Sequence, residues 1–594
     1  MRVFAAMWLS LSLAALPLLA NDAKDAGKEE SPTTAVAEKA KEPAKPENAV
    51  IESELQDLRS LVQSQMQKLE SQRAVLKAQQ LKMEALEEKL HVTPPEPVSI
   101  PIAAPEAISE ATPAYAIGAA PRTLSASTSS MLPQEKAEEA SPLQLRIGSA
   151  YITPVGFMDF TSEWRSRDGG SGIGTNFASI PIGTSLQPFA AHLSEFRLSM
   201  QNSRVGFRVD AMVKGAHVIG YMESDYLGNN PGNVAVSSNS NTFRSRLYWV
   251  DVQKAKWEVL GGQTWSLITP GRTGISPLPG NLFYTQNIDV NYQLGLVWGR
   301  IPELRFVLHP TNKTAFAVAL DSPEQYAGGS AGGGTIIYPA AYSSFAGSQL
   351  NTGGSTLAVP NLAPDVIAKL AFDPSSKFHV ELGGVERQFK VWIPTTTGTF
   401  TKTGGGGFVN LNVQLFPGFR LLTNNFWSDG GGRYIFGQVP DLIVRNDGSL
   451  SPIKAASTVS GFEFTHKNSF VYAYYGGVYA QKNATFDVNG TTPIGYGVLP
   501  ATLTPITFGN TVAANQNRAI QEITLGFNQT LWRDAKYGAL NFMGQYSFLR
   551  RNPWVIPSSA PGSIPVLSED REAHLHMVFL NLRYTLPGSA PAMK

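Results

Sequence analysis

From about Leu145 to Tyr584 one pattern recurs: segments of roughly ten residues in which apolar and polar side chains alternate. Phe243-Arg244-Ser245-Arg246-Leu247-Tyr248-Trp249, Thr314–Leu320, Phe408–Leu415 and Val578–Tyr584 are examples. Neighbouring side chains of a strand point to opposite faces, so each segment has one greasy face and one wet face. The connections alternate as well. Short polar turns fall at Lys214-Gly215, Gln253–Lys256, Pro310–Lys313, Asp373–Ser376, Pro417-Gly418, His466–Asn468 and Arg533–Lys536. Between them run Gly/Ser/Asn/Pro-rich excursions at about Arg165–His192, Gly228–Asn241, Ile268–Asn287, Ser322–Pro364, Trp392–Gly407, Gly430–Ser451, Asn483–Asn515 and Arg551–Arg571. This alternation predicts an all-β transmembrane barrel of about 16 antiparallel strands with both chain ends on the short-turn side. Two segments test the count. Ser194–Met212 changes apolar parity between Met200 and Val205, which a β-bulge explains, and Asp289–His309 is long and contains Pro302. Splitting both gives 18 strands instead.

What precedes the barrel differs in texture. Residues 1–20 read as a secretory signal: Arg2, the apolar stretch Val3–Leu19, then Ala20 before Asn21. After it no run approaches the roughly 18 apolar residues of a spanning helix. Residues 21–49 form a Lys/Glu/Ala/Pro linker. Residues 50–90 carry two heptad columns, Leu55, Val62, Leu69, Leu76, Met83, Leu90 and Ile51, Leu58, Gln65, Gln72, Gln79, Leu86. They predict an α-helical coiled-coil rod about 60 Å long whose three Gln layers select register and oligomer state. Residues 91–144 are a Pro-rich tether, residues 145–585 the barrel and residues 586–594 a tail. With no cysteine, disulfides and thiolate metal sites are excluded. A net charge of +1 gives no sign of nucleic acid.

Three passages, Asn202–Arg208, Gly220–Tyr226 and Gly261-Gly262-Gln263-Thr264-Trp265-Ser266, resemble the DcaP-like outer-membrane porins. The resemblance implies a homotrimer of sixteen-stranded barrels in the bacterial outer membrane, an N-terminal coiled coil in the periplasm, and uptake of dicarboxylates and similar small anionic solutes. Barrels of this kind commonly end on an aromatic residue. Tyr584 is the candidate here, although Thr585–Lys594 trail beyond it.

A charge on the lipid face costs about 2–4 kcal/mol at the midplane, so strand charges are expected to face the lumen. By parity Arg244 and Arg246 oppose Phe243, Leu247 and Trp249, Arg204 and Arg208 oppose Val205 and Phe207, and Lys369 opposes Leu370. Glu223 and Asp225 are the nearby inward acids, and pairing that stiffens the wall is the competing role for any of these groups. The third long connection, Leu267–Asn287, is placed to narrow the lumen if it folds inward, and it carries Arg272 and no acid. A positive constriction favours anions. The expectation is a passive diffusion channel with Arg204, Arg208, Arg244, Arg246, Arg272 and Lys369 lining an anion path. No catalysis, cofactor or metal is expected: His574 and His576 share a strand face without a third ligand, no G-x-S-x-G occurs, and Gly404–Gly407 lacks the Lys-Ser/Thr of a phosphate loop and reads as a loop tip. The alternatives are an envelope anchor whose rod contacts peptidoglycan, and a barrel esterase.

Overall fold

The computed structural model describes residues 143–587 apart from 170–171, 184–189, 234, 238–239, 279–282, 286–291, 329–335, 353–358, 394–397, 436–437, 499–515 and 556–569. The signal segment, the first linker, the rod, the second linker up to residue 142 and most of the tail lie outside the described residues.

Sixteen strands close into an antiparallel barrel. They are β1 (Ala150–Arg165), β2 (Glu195–Ser199 continued by Arg204–Val213), β3 (Ala216–Asp225), β4 (Arg244–Lys254), β5 (Trp257–Trp265), β6 (Arg300–Thr311), β7 (Thr314–Asp321) and β8 (Asp365–Ser375). The second half comprises β9 (Phe378–Ile393), β10 (Gly398–Phe416), β11 (Phe419–Asp429), β12 (Lys454–His466), β13 (Ser469–Ala480), β14 (Asn517–Asp534), β15 (Gly538–Pro553) and β16 (Ala573–Thr585). Each pairs with its sequence neighbour, and β1 pairs with β16 from Phe157↔Thr585 to Arg165↔Met577, which closes the wall. A short piece, Leu145–Ile147, folds back on β1 and is not a stave.

All seven short turns lie where the polar signals put them. The parity slip in β2 is a bulge: Ser199 pairs with Thr161 and Arg204 with Phe157, so four residues on β2 face three on β1. The 18-strand alternative is thereby excluded, because β2 is one broken stave and the wall resumes after the third long connection only at Arg300.

One connection differs from expectation. Residues 392–407 do not form a long excursion. Strands β9 and β10 run on and leave only 394–397 between them, and Gly404–Gly407 is strand, paired with β9 and β11. A Cβ on Gly405 would lie 2.4 Å from the Val385 carbonyl oxygen, and one on Gly406 2.8 Å from the Phe426 ring. The glycines thus let neighbouring backbone and aromatic rings come close.

The wall is inverted relative to a water-soluble protein. On β6, Leu304 and Phe306 are exposed outside (55% and 46%) while Glu303 and Arg305 are buried inside (5% and 2%). Arg165, Arg246, Arg305, Arg387, Arg420 and Arg551 are the largest fully buried side chains. In lipid every strand amide must find a partner, and a closed cylinder supplies one for each.

Candidate functional site

The inner face of the early wall carries a dense ion-pair layer. On β3, Glu223 and Asp225 share the inward face, and β4 lies beside them with Arg244 and Arg246. Arg244 donates to both Asp225 oxygens (2.9 and 2.7 Å). Arg246 donates to Glu223 (2.8 Å) and Asp225 (2.6 Å). Arg204 lies 3.7 Å from Glu223, with its guanidinium over the Phe157 ring. Arg208 is held by Asp210 (2.8 Å), which also contacts His217 (3.0 Å). On the far side Lys369 meets the Thr269 carbonyl (2.6 Å) and Glu381 (3.3 Å). Every cation that the sequence placed in the lumen therefore faces inward, and every one has a carboxylate neighbour.

One side-chain assignment is corrected. Leu247 and Trp249 face inward, not to lipid, with 1% and 5% exposure. The register between Glu223↔Leu247 and Ser224↔Ser245 contains a bulge that turns the rest of β4 by one position. Trp249 stacks on Tyr221 across the strands (5.4 Å, 16°).

The connection between β5 and β6 crosses the lumen. It leaves the wall after Trp265. The Gly271 N–H donates to Glu381 on β9 (3.1 Å) and the Gly274 N–H to Asp373 on β8 (2.9 Å). Further along, the Tyr472 hydroxyl on β13 donates to the Tyr284 carbonyl (3.1 Å), and Leu294 N–H donates to Glu522 on β14 (3.1 Å). Arg272 sits in this span and makes a two-pronged pair with Glu463 on β12 (2.8 and 2.6 Å). The opposing acid thus exists, but on the wall rather than the loop. Arg420 stands beside the pair: it donates to Asn412 (2.6 Å), whose amide in turn donates to the Arg272 carbonyl (3.3 Å). Two arginines and one glutamate meet at this crossing.

Three more connections fold into the long-loop half of the barrel. Ile435, Val439, Leu442, Ile443 and Val444 join Phe177, Tyr342 and Leu350 in an apolar cluster against the inner wall residues Phe389, Val391 and Leu549. Each such side chain contributes about 1.5–3 kcal/mol on burial. An ionic latch secures the cluster. Asp441 accepts from Arg387 of β9 (2.6 Å) and from the Tyr326 N–H of another connection (2.8 Å). Burial pushes the Asp441 carboxyl above its ordinary range while Arg387 pulls it back. The Tyr434 hydroxyl lies within hydrogen-bond reach of Asp365 (3.0 Å) and Asp321 (3.2 Å).

Several lumen residues were missed. Glu463 lies between Phe462 and Phe464, so parity alone points it inward. Phe470, Tyr472 and Tyr474 form an inward column on β13 that packs on Phe283 and Tyr284. Their aromatic character imitates a lipid face. The outer face of the same strand, Val471 and Tyr475, is equally apolar.

No protein-family model matches the chain, and no curated protein matches it. Solved structures similar to it include the outer-membrane channel DcaP of Acinetobacter baumannii, at 14% identity over 74% of this chain and 97% of that one, with a TM-score of 0.49. The anion-selective porin from Comamonas acidovorans matches at 11% identity over 73% and 99% of the two chains, with a TM-score of 0.40. OmpF of Salmonella typhi matches at 9% over 74% and 100%, with a TM-score of 0.37.

Proposed function

We propose that this chain is a bacterial outer-membrane channel through which small hydrophilic solutes diffuse passively, with a preference for anions. The observation that carries the reading is the inversion of the wall: a closed sixteen-stranded cylinder, apolar outside, with charged and amide side chains inside. Solutes cross without a chemical step, and the crossing loop sets the narrowest zone. Of the six cations expected on the path, Arg208 and Arg244 reach water, with about a quarter and a third of their side chains exposed. Arg204, Arg246, Arg272 and Lys369 are buried, and they hold the wall and the loop in shape while keeping positive charge at the path. The coiled-coil residues 50–90 would join copies as a trimer on the periplasmic side, with peptidoglycan contact as a further role of that arm. Liposome swelling tests the core of the proposal. Proteoliposomes should admit small sugars and dicarboxylates at rates that fall with solute size. Impermeable liposomes with correctly folded barrels would overturn it.

A further inference from the structure

Charge is distributed unequally between the two ends of the barrel. Six of the seven short turns carry a lysine: Lys214, Lys256, Lys313, Lys377, Lys467 and Lys536. All six are exposed, and among the described residues none makes an ion pair. Lys254 and Arg533 add to them at adjoining strand ends. Asp373 and Asp534 are the acids in these turns: Asp373 lies 2.8 Å from His379, and Asp534 accepts from the N–H groups of Lys536 and Tyr537 through one oxygen and keeps its charge, so the turns stay net positive. The long connections differ. Among the described residues they mix both signs, with Arg433 near Asp441, Arg445 near Asp447 and Arg571 next to Glu572.

Position matters as much as number. A barrel wall is one strand thick, so a residue in a tight turn stands on the rim of the lumen. Behind the rim, the inward acids are engaged within the wall. Asp210 holds Arg208 and His217, Glu258 lies 3.5 Å from His309, Asp373 lies 2.8 Å from His379, and Asp251 accepts from Gln253 (2.8 Å). Deeper in the lumen Arg204, Arg208, Arg244, Arg246, Arg272 and Lys369 each lie beside a carboxylate, which weakens their fields. The fields of the turn lysines are not weakened in this way.

The geometry points to the short-turn lysine crown as an electrostatic collar that concentrates anions at this mouth and supplies much of the channel's anion preference. This rests on the channel reading above and names the residues that set its selectivity. Such a collar makes the two mouths unequal. Anions entering from the short-turn side start from an enriched pool, so the current–voltage curve is asymmetric. A potential of about one kT at the rim enriches a monovalent anion on the order of threefold. A divalent anion responds more steeply. The Debye length is about 10 Å at 0.1 M salt and 3 Å at 1 M, so the effect belongs to low salt.

The test uses the full mature chain in planar bilayers under a potassium chloride gradient. In the variant, Lys214 and Lys467 are changed to Asn, because both have positive φ (48° and 53°) that asparagine tolerates, and the other four lysines are changed to Gln. At 0.1 M salt the chloride-over-potassium permeability ratio should fall about twofold to threefold and the current asymmetry should flatten, with both differences vanishing at 1 M. A variant that keeps the four Gln sites as arginine should behave as the parent. One-sided succinylation of the inserted parent channel provides a second readout independent of variant folding. It should shift the reversal potential toward cation preference from one compartment only. A conducting variant with unchanged reversal potential and unchanged asymmetry overturns the collar while leaving the channel intact. Equal succinylation effects from both sides overturn it as well. A parent protein that conducts nothing overturns the channel reading instead.

Discussion

Replacing Glu463 with glutamine would leave the Arg272 guanidinium buried without its carboxylate. Both side chains are almost inaccessible, at 8% and 0% exposure, so solvent screening gives little relief. Removing one partner of a buried pair costs about 3–5 kcal/mol, because the remaining charge is desolvated and uncompensated. The Tyr474 hydroxyl, which donates to Glu463 at 2.8 Å, loses a charged acceptor too. The crossing loop has other anchors at Glu381, Asp373 and Glu522, so the expected outcome is a loosened tip rather than loss of the barrel. A double-mutant cycle with Arg272→Gln isolates the pair. Each single change should lower stability by roughly 3 kcal/mol, and the double change should cost clearly less than the sum. Stability can be followed as the denaturant midpoint of the detergent-folded barrel. Selectivity should respond in parallel. Glu463→Gln deletes the one acid beside Arg272 and Arg420, so its reversal potential should move toward anions and its open-channel noise should rise. Additive stability costs, or a shift toward cations, would refute the assignment of this pair as the loop's charged staple.

Three further outcomes follow from the wall. Changing Arg244 and Arg246 together to Gln strips Asp225 of both arginines and leaves Glu223 only Arg204, so bilayer reversal potentials should lose anion preference; unchanged potentials would remove these residues from the selectivity path. Gly405→Val should block barrel assembly, because its Cβ alone would meet the Val385 carbonyl oxygen at 2.4 Å, whereas Gly407→Ser, where the nearest atom is 3.7 Å away, should assemble normally by heat-modifiable gel mobility. Deleting residues 21–144 while keeping the signal segment should preserve folding and conductance, since β1 and β16 close the wall without them, but should weaken the oligomer seen by native mass measurement.

The barrel was legible because its rules are local. Polar turn residues at Lys214-Gly215 or Pro417-Gly418, and alternation on segments such as Val578–Tyr584, specify strands without reference to anything distant. The bulge in β2 was legible for the same reason, since a change of parity from Leu198 to Phe207 has few other causes. The glycine run at 404–407 misled because glycine signals turns and close strand approach alike, and only the bulky rings of Phe389 and Phe426 across the sheet decide between them. Trp249 misled because the bulge that reverses it lies between Ser245 and Leu247 and leaves no compositional mark. The candidate site was half legible. Parity gave the direction of Arg204, Arg208, Arg244, Arg246 and Lys369, and Glu223 and Asp225 were legible as nearby acids because they sit on a neighbouring strand, whereas the meeting of Arg272 with Glu463 joins a loop to a strand nearly two hundred positions away. Ile435 and Leu442–Val444 look like strand residues, yet they cover the inside of the wall, because an apolar segment reads the same whether lipid or a neighbouring loop buries it.

Since the chain has no native cysteine, single cysteines can be placed along β16 and tagged with a fluorophore in bilayers whose acyl chains carry bromine. Tags at positions 578, 580 and 582 should be strongly quenched and tags at 579, 581 and 583 spared, a strict two-residue rhythm. Uniform quenching along the strand, or none at any position, would contradict a wall that turns its apolar side to lipid and its polar side inward.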